Sequence, residues 1–249
     1  MRLRSLVGAA LAALAVVALS ACQSTQSRSA ELEKEGESTL LSSHGLKIGK
    51  ESTEVEVTST KLLSDANGSA VVVSLHSDSG KNLVDVPILI EVLDAKGKPV
   101  YSNDIPGIEP ALASVPYISA HGATDWVNDQ VLASAKPKSV KVTVGADADS
   151  YSGPIPEIEV TRPRIEGDPV SGLEATGDVI NKTGEDQDRL LLYAIARQGG
   201  EIVAAGRGAI EHLKASTKPL HYDVFFIGDP SGADVELLEF PALPGHKSE

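Results

Sequence analysis

A single cysteine, Cys22, in a chain of 249 residues rules out an internal disulfide. A single methionine, at the first position, leaves no thioether ligands, which disfavours a soft-metal copper carrier. Aromatic residues make up only 4% of the chain, with one tryptophan, Trp126, expected to anchor a core. Positive charge is scarce as well: 22 Lys and Arg stand against 35 Asp and Glu, for a net charge of −13. Such a surface repels phosphate backbones and anionic headgroups, which argues against nucleic-acid binding and gives a membrane no electrostatic hold.

Catalytic and ligand-binding signatures are equally sparse. There is no Gly-x-Ser-x-Gly elbow to carry a nucleophile. The six histidines, His44, His76, His121, His212, His221 and His246, are scattered, without the close pair of a zinc site. Only His212 and His221 are placed to approach each other across a hairpin. Gly206-Arg207-Gly208 lacks the lysine and the strand-to-helix setting of a phosphate loop. Asp94 to Gly97 and Asp147-Ala148-Asp149 are better explained as turns than as calcium loops, since calcium needs roughly six to eight oxygens. Acidic residues are too numerous for one carboxylate dyad to stand out. The expectation is therefore a chain that is not an enzyme, with no cofactor and no metal ligand.

One long apolar run is present, from Leu6 to Leu19, behind Arg2 and Arg4. It is shorter than the roughly 20 residues that span a bilayer, and small residues follow it, which is the layout of a secretory leader over residues 1–21. Leu19-Ser20-Ala21-Cys22 resembles the lipobox of bacterial lipoproteins. That resemblance implies lipidation of the Cys22 thiol, cleavage before it, and fatty chains such as palmitate holding the protein to the outer face of a cell membrane. Two or three chains, at roughly 0.8 kcal/mol per buried methylene, give lasting attachment. Cleavage removes two arginines and no acid, so the mature chain is more acidic than the whole.

Residues 22–50, rich in Ser, Thr, Gln, Glu and Lys, read as a flexible tether after the lipidated cysteine. Beyond Lys50 the texture changes to short alternating runs of Val, Ile, Leu and Thr between Gly, Asn, Asp and Pro, the pattern of antiparallel strands. Asp65-Ala66-Asn67-Gly68 and Asp94 to Gly97 are good turns between them. The order then recurs. Glu54 to Thr58 returns as Glu157 to Thr161; Ile88, Ile90 and Val92 return as Leu191, Tyr193 and Ile195; Gly97 returns as Gly200, and Val100 as Val203, all at one offset of 103 residues. A kept spacing points to duplication. Later parts correspond more loosely, with Val140, Val142 and Val144 set against Val235, Leu237 and Leu238. The fold class is all-β, with two tandem immunoglobulin-like sandwiches over residues 51–150 and 151–243 and a tail over 244–249. The boundary is expected between Asp147 and Pro154.

The order of strand, Asn or Asp turn, long alternating strand, Asp-x-x-Gly turn and late aromatic strand resembles the FxLYD family of bacterial immunoglobulin-like modules. Val84 to Leu93, Asp94 to Gly97, Val100 and Gly122 to Val127 carry it in the first copy; Ala175 to Asn181, Leu190 to Tyr193, Gly200 and Tyr222 to Phe226 carry it in the second. Leu190-x-Leu192-Tyr193-Ala194 departs from the family's Phe-x-Leu-Tyr-Asp at both ends. The resemblance implies fold and location, and spacer or adhesive modules without common catalytic residues.

One connection is atypical. Asn103 to Ala120 holds Pro106, Pro110 and Pro116 among Ile105, Ile108, Leu112, Val115 and Tyr117, whereas most strand connections are short and polar. It is either a docking segment for a protein or cell-envelope partner or a cap over the open end of the first sandwich. The expected function is a membrane-anchored, extracytoplasmic lipoprotein acting by binding or spacing. The alternative is a solute- or metal-binding lipoprotein that serves a transporter, marked by a polar cleft between the modules or by converging His and Asp side chains.

Overall fold

Alternating Val, Ile and Leu runs form strands along nearly the whole of what the computed structural model describes, residues 45–168 and 172–246. The leader, Cys22, the tether as far as His44 and the last three residues lie outside the described residues. The fold is all-β, and the strand pairings are antiparallel. The first segment comprises β1 (Val55–Ser64), β2 (Ser69–Ser77), β3 (Asn82–Leu93), β4 (Pro99–Ser102), a short 3₁₀ turn at Pro110–Leu112, β5 (Ser114–Ile118), β6 (Ala123–Asn128), β7 (Ser139–Val144) and β8 (Asp149–Tyr151). The second comprises β9 (Glu159–Val160), β10 (Arg164–Asp168), β11 (Gly172–Ile180), β12 (Gln187–Gln198), β13 (Glu201–Leu213), β14 (Leu220–Phe225), β15 (Ile227–Gly228) and β16 (Asp234–Pro241).

Each segment supplies two sheets of matching layout. In the first, β1-β2-β6 faces a sheet centred on β3, flanked by β4 and β5 on one edge and β7 and β8 on the other. In the second, β11 lies between β14 and the pair β9 and β10, and the other sheet runs β15-β13-β12-β16. The 103-residue offset holds in space: β2 begins at Ser69 and β11 at Gly172. The Asp94 turn closes through Asp94 Oδ1, which accepts from the Lys96 and Lys98 amides, and Gly97 at φ +77° answers Gly200 at φ +88°. A left-handed backbone favours glycine at both places. The late strands bear out part of the looser match. Ile88 pairs with Val144 and Ile90 with Val142, while Leu191 pairs with Phe240 and Tyr193 with Leu238. Val140, Val142 and Val144 pack on the inner core of the first segment as Val235 and Leu237 pack on that of the second, whereas Leu238 faces the seam, so the match holds at Val235 and Leu237 and fails at Leu238.

Three expected boundaries shift. Residues 45–50, read as the end of the tether, run along the first segment, where the Ala146 amide donates to Lys50 O at 2.9 Å and Gly45 lies hard against Asp104 O. Tyr151, placed in the second module by its sequence, completes β8 and pairs with Asn82 of β3. The repeat of Glu54–Thr58 forms only the two-residue β9, because the long first strand of segment one is broken into β9 and β10 in segment two.

The segments stack face to face. In β3 burial alternates, with Val86, Ile88, Ile90 and Val92 fully inside, as expected of a strand covered on one face. In β12, Leu190 through Ala196 are buried without a break. Leu190, Leu192, Ala194 and Ala196 face β11 and β14 in one cluster, whereas Tyr193 and Ile195, with Ile202 and Ala205 of β13, join the core of the first segment. The covering surface is β1-β2-β6, whose Ala70 to Val73 are also buried on both faces. Two pairs of sheets thus make four layers: the first segment's cluster extends across the seam to Tyr193, Ile195, Ile202 and Ala205, while the inner core of the second segment forms a cluster of its own.

The second pair of layers is set by glycine. A Cβ on Gly206 would lie 1.8 Å from Phe225 O, and one on Gly208 would lie 3.0 Å from Val224 Cγ2, so β14 crosses β13 closely only because both side chains are missing. Gly206→Ala is expected to cost about 2–4 kcal/mol through that backbone collision. Gly49→Ala, which meets nothing within 4 Å, should leave stability unchanged. Denaturant melts of both variants against the parent check this.

Candidate functional site

Charged side chains gather at the rim of the seam, where each strand carries one from one segment to the other. The alternation that points Tyr193 toward the first segment also points its register partner Arg207 that way. Arg207, 6% exposed at its side chain, donates Nη1 and Nη2 to the two carboxylate oxygens of Glu109 at 2.8 and 2.6 Å. Its backbone amide donates to Asp129 Oδ2 at 3.0 Å, while Nε stands 3.6 Å from Asp129 Oδ1, an ion pair without a formed hydrogen bond. Arg189 donates to the same Glu109 carboxylate and pairs through Nε with Glu211 at 3.0 Å. Farther along, Arg197 pairs with Asp125 at 2.5 Å, Asp125 also accepts from the Ser74 hydroxyl, and Lys61 reaches Glu201. Asp65 Oδ2 accepts from the Gly228 amide at 2.7 Å, which ties the β1–β2 turn to β15.

These surroundings perturb the groups at the centre. The Arg207 hydrogen bonds, helped by the charge of Arg189, hold the Glu109 carboxyl below the ordinary glutamate range. Asp129 moves the other way, because loss of solvent outweighs its contact with Arg207. Burial pushes the Tyr193 phenol up, and its hydroxyl has no hydrogen-bond partner among the described residues. Tyr193 packs against Phe240 with ring centroids 4.9 Å apart.

Beside this cluster a cavity of about 340 Å³ opens between the segments. Pro110, Ala111, Ser114 and Pro116 form one wall, Leu191 and Phe240 another, and the chain after β16 closes it with Ala242, Leu243 and His246. His246 Nε2 lies 2.6 Å from Asp85 Oδ2 and clips the C-terminal segment to β3, at a residue whose φ of +49° marks a local kink. Trp126, buried as expected, donates its indole N–H to Ala111 O and Ser114 O, both at 3.0 Å, and so supports the cavity wall from behind.

The docking segment divides. Leu112 and Val115 are 2% and 0% exposed, so these two side chains belong to the interior and not to a surface offered to a partner. Val115 sits in β5, paired with Val86, and the preceding strand crossing is closed by Asn103, whose side chain bonds Ile90 N, Ile88 O and Leu112 O. Ile108 and Tyr117 are half-buried, and Ile105 is exposed. The stretch folds back on its own segment and supplies Glu109 to the seam. Glu109, Arg189 and Asp85 carry no signal in the sequence and Arg207 only the Gly206-Arg207-Gly208 triplet, since the Arg189–Glu109, Arg207–Glu109 and His246–Asp85 contacts span 80 residues or more and leave no local signature. Among the described residues no three His, Cys, Asp or Glu converge as metal ligands. His221 instead sits between Asp178 and Asp223 on the outer face of β11 and β14.

Arg207→Met leaves Asp129 without a cation and Glu109 with Arg189 alone, and is expected to cost about 3–5 kcal/mol in a denaturant melt. Glu109 adds a pH dependence of known sign. Its depressed pKa contributes stability that is full above the ordinary glutamate value of 4.5 and fades as pH falls through the lower folded value. Glu109→Gln should therefore be less stable than the parent at pH 7, with the difference shrinking as the melts are taken below pH 4.5.

No protein-family model matches the chain, and no curated protein matches it.

Proposed function

We propose that this chain is a membrane-anchored lipoprotein of the extracytoplasmic face, held by fatty chains on Cys22, whose two FxLYD-like, immunoglobulin-like segments act by binding or spacing and not by turnover. The observation that carries the anchor is Leu19-Ser20-Ala21-Cys22 directly behind an apolar leader, with Cys22 the only cysteine of the chain. Support for a spacer or binding role comes from the stacking, since a body tied by Arg207, Arg197 and the apolar seam presents its surfaces at a fixed angle. The partner is a protein or another envelope component, and the net charge of −13 disfavours nucleic acid.

A second reading, solute binding for a transporter, draws support from one observation: the cavity lies between the segments and is walled by both. The apolar walls of Pro110, Pro116, Leu191, Phe240 and Leu243 favour an organic solute over a metal ion.

Cys22→Ala is expected to move the protein from the membrane pellet to the soluble extract and to abolish incorporation of labelled palmitate. Retention of the variant in a carbonate-washed pellet would refute the anchor.

A further inference from the structure

We infer that the cavity between the segments is a site for a small organic cation, an apolar ring or short chain ending in an ammonium group. The inference rests on the solute-binding reading above and adds the chemical class. The walls select an apolar body: Leu191, Phe240, Pro110, Pro116 and Leu243 surround a space of about 340 Å³, within the size range of small-molecule sites.

The polar groups set the charge of the ligand by elimination. Arg189 is already committed to Glu109 and Glu211. His246 and Asp85 are committed to each other at 2.6 Å. The Ser114 hydroxyl donates to Pro110 O at 3.1 Å. What remains among the charged lining residues is Asp188, exposed at the mouth, with no hydrogen bond or ion pair to any described residue. An anionic ligand would have to break the Glu109–Arg189–Glu211 arrangement and bring its charge beside two further carboxylates. A cation meets Asp188 with its own hydration partly kept, while its apolar part enters between Phe240 and Leu191. The net negative charge of the chain favours the same sign of ligand at long range.

The test uses the full chain in non-ionic detergent and three probes of similar shape: phenethylamine, 2-phenylethanol and 3-phenylpropionate. Trp126, the only tryptophan, is bonded to the cavity wall through Ala111 O and Ser114 O, so its emission reports occupancy. Phenethylamine should give a saturable change at the lowest concentration. Asp188→Asn should raise its midpoint about two- to fivefold, as loss of one exposed ion pair does, and leave 2-phenylethanol where it was. Comparison with this variant cancels partition of the probes into detergent. Ala242→Phe, which fills the space from the C-terminal side, should abolish the response to all three, with an unchanged melt as control for folding. If 2-phenylethanol or 3-phenylpropionate binds as well as the amine, or Asp188→Asn changes nothing, the cation assignment is overturned while a ligand site stands. If no probe produces a saturable change, both the assignment and the solute-binding reading fall, and the anchor at Cys22 is untouched.

Discussion

Burial of a second face on β12 and β13 is the constraint from which the rest of the architecture follows. A strand covered on one side needs only one partner sheet; Tyr193, Ile195, Ile202 and Ala205 need another, and the β1-β2-β6 sheet supplies it. At roughly 25 cal/mol per Å² of apolar surface removed from water, this contact is the favourable term that holds the segments together. The ion pairs at its rim play a different part. Taking Arg207 and half of Glu109 out of water costs much of what their attraction returns, so the pair adds little net stability, but once Arg207 is buried its guanidinium cannot be left without a carboxylate. The charges fix how the layers are aligned; the apolar seam supplies the drive to stack them.

Gly206-Arg207-Gly208 shows the constraint acting on three consecutive residues. In a strand they point alternately to the two faces. The outer two meet β14 and must be glycine, because Phe225 O and Val224 occupy the room that a side chain would take. The middle one meets the first segment and must reach both Glu109 and Asp129. A triplet that in isolation resembles a fragment of a phosphate loop is thereby explained by packing on opposite sides of one sheet.

Much of the fold was legible. The alternation of β3, the turns at Asn67-Gly68 and Gly97, the recurrence at 103 residues and the buried Trp126 follow from local rules of period and backbone freedom. The stacking was not read, although its signal was present: Leu190 to Ala196 and Ala70 to Val73 are unbroken apolar runs, as strands covered on both faces are. The match of Ile88, Ile90 and Val92 to Leu191, Tyr193 and Ile195 sets residues of an inner core against residues of the seam; the inward counterparts are the residues between, Leu190, Leu192, Ala194 and Ala196. The last strand shows the same effect at one residue. With a side-chain period of two, a step of one position exchanges the faces, so Leu238 lies at the seam while Val235 and Leu237 keep the inward face that Val140 and Val142 hold in the first segment. The candidate site was the least legible part, because it is made of contacts such as Arg207–Glu109, 98 residues apart, whose members look like ordinary surface charges in sequence.

Stacking also decides what kind of cavity this protein can have. Pro110 and Ser114 come from one segment and Leu191 and Phe240 from the other, so the space exists only while the seam is closed. A ligand that fills it binds the stacked arrangement and not a parted one, and by linkage favours the stacked arrangement by its difference in affinity for the two. The His246–Asp85 contact joins the C-terminal segment to this coupling, since it clips the third wall to β3 of the first segment. The seam, the clip and the cavity are therefore one energetic unit: whatever loosens the contact around Tyr193 and Arg207 also opens the walls a ligand would touch.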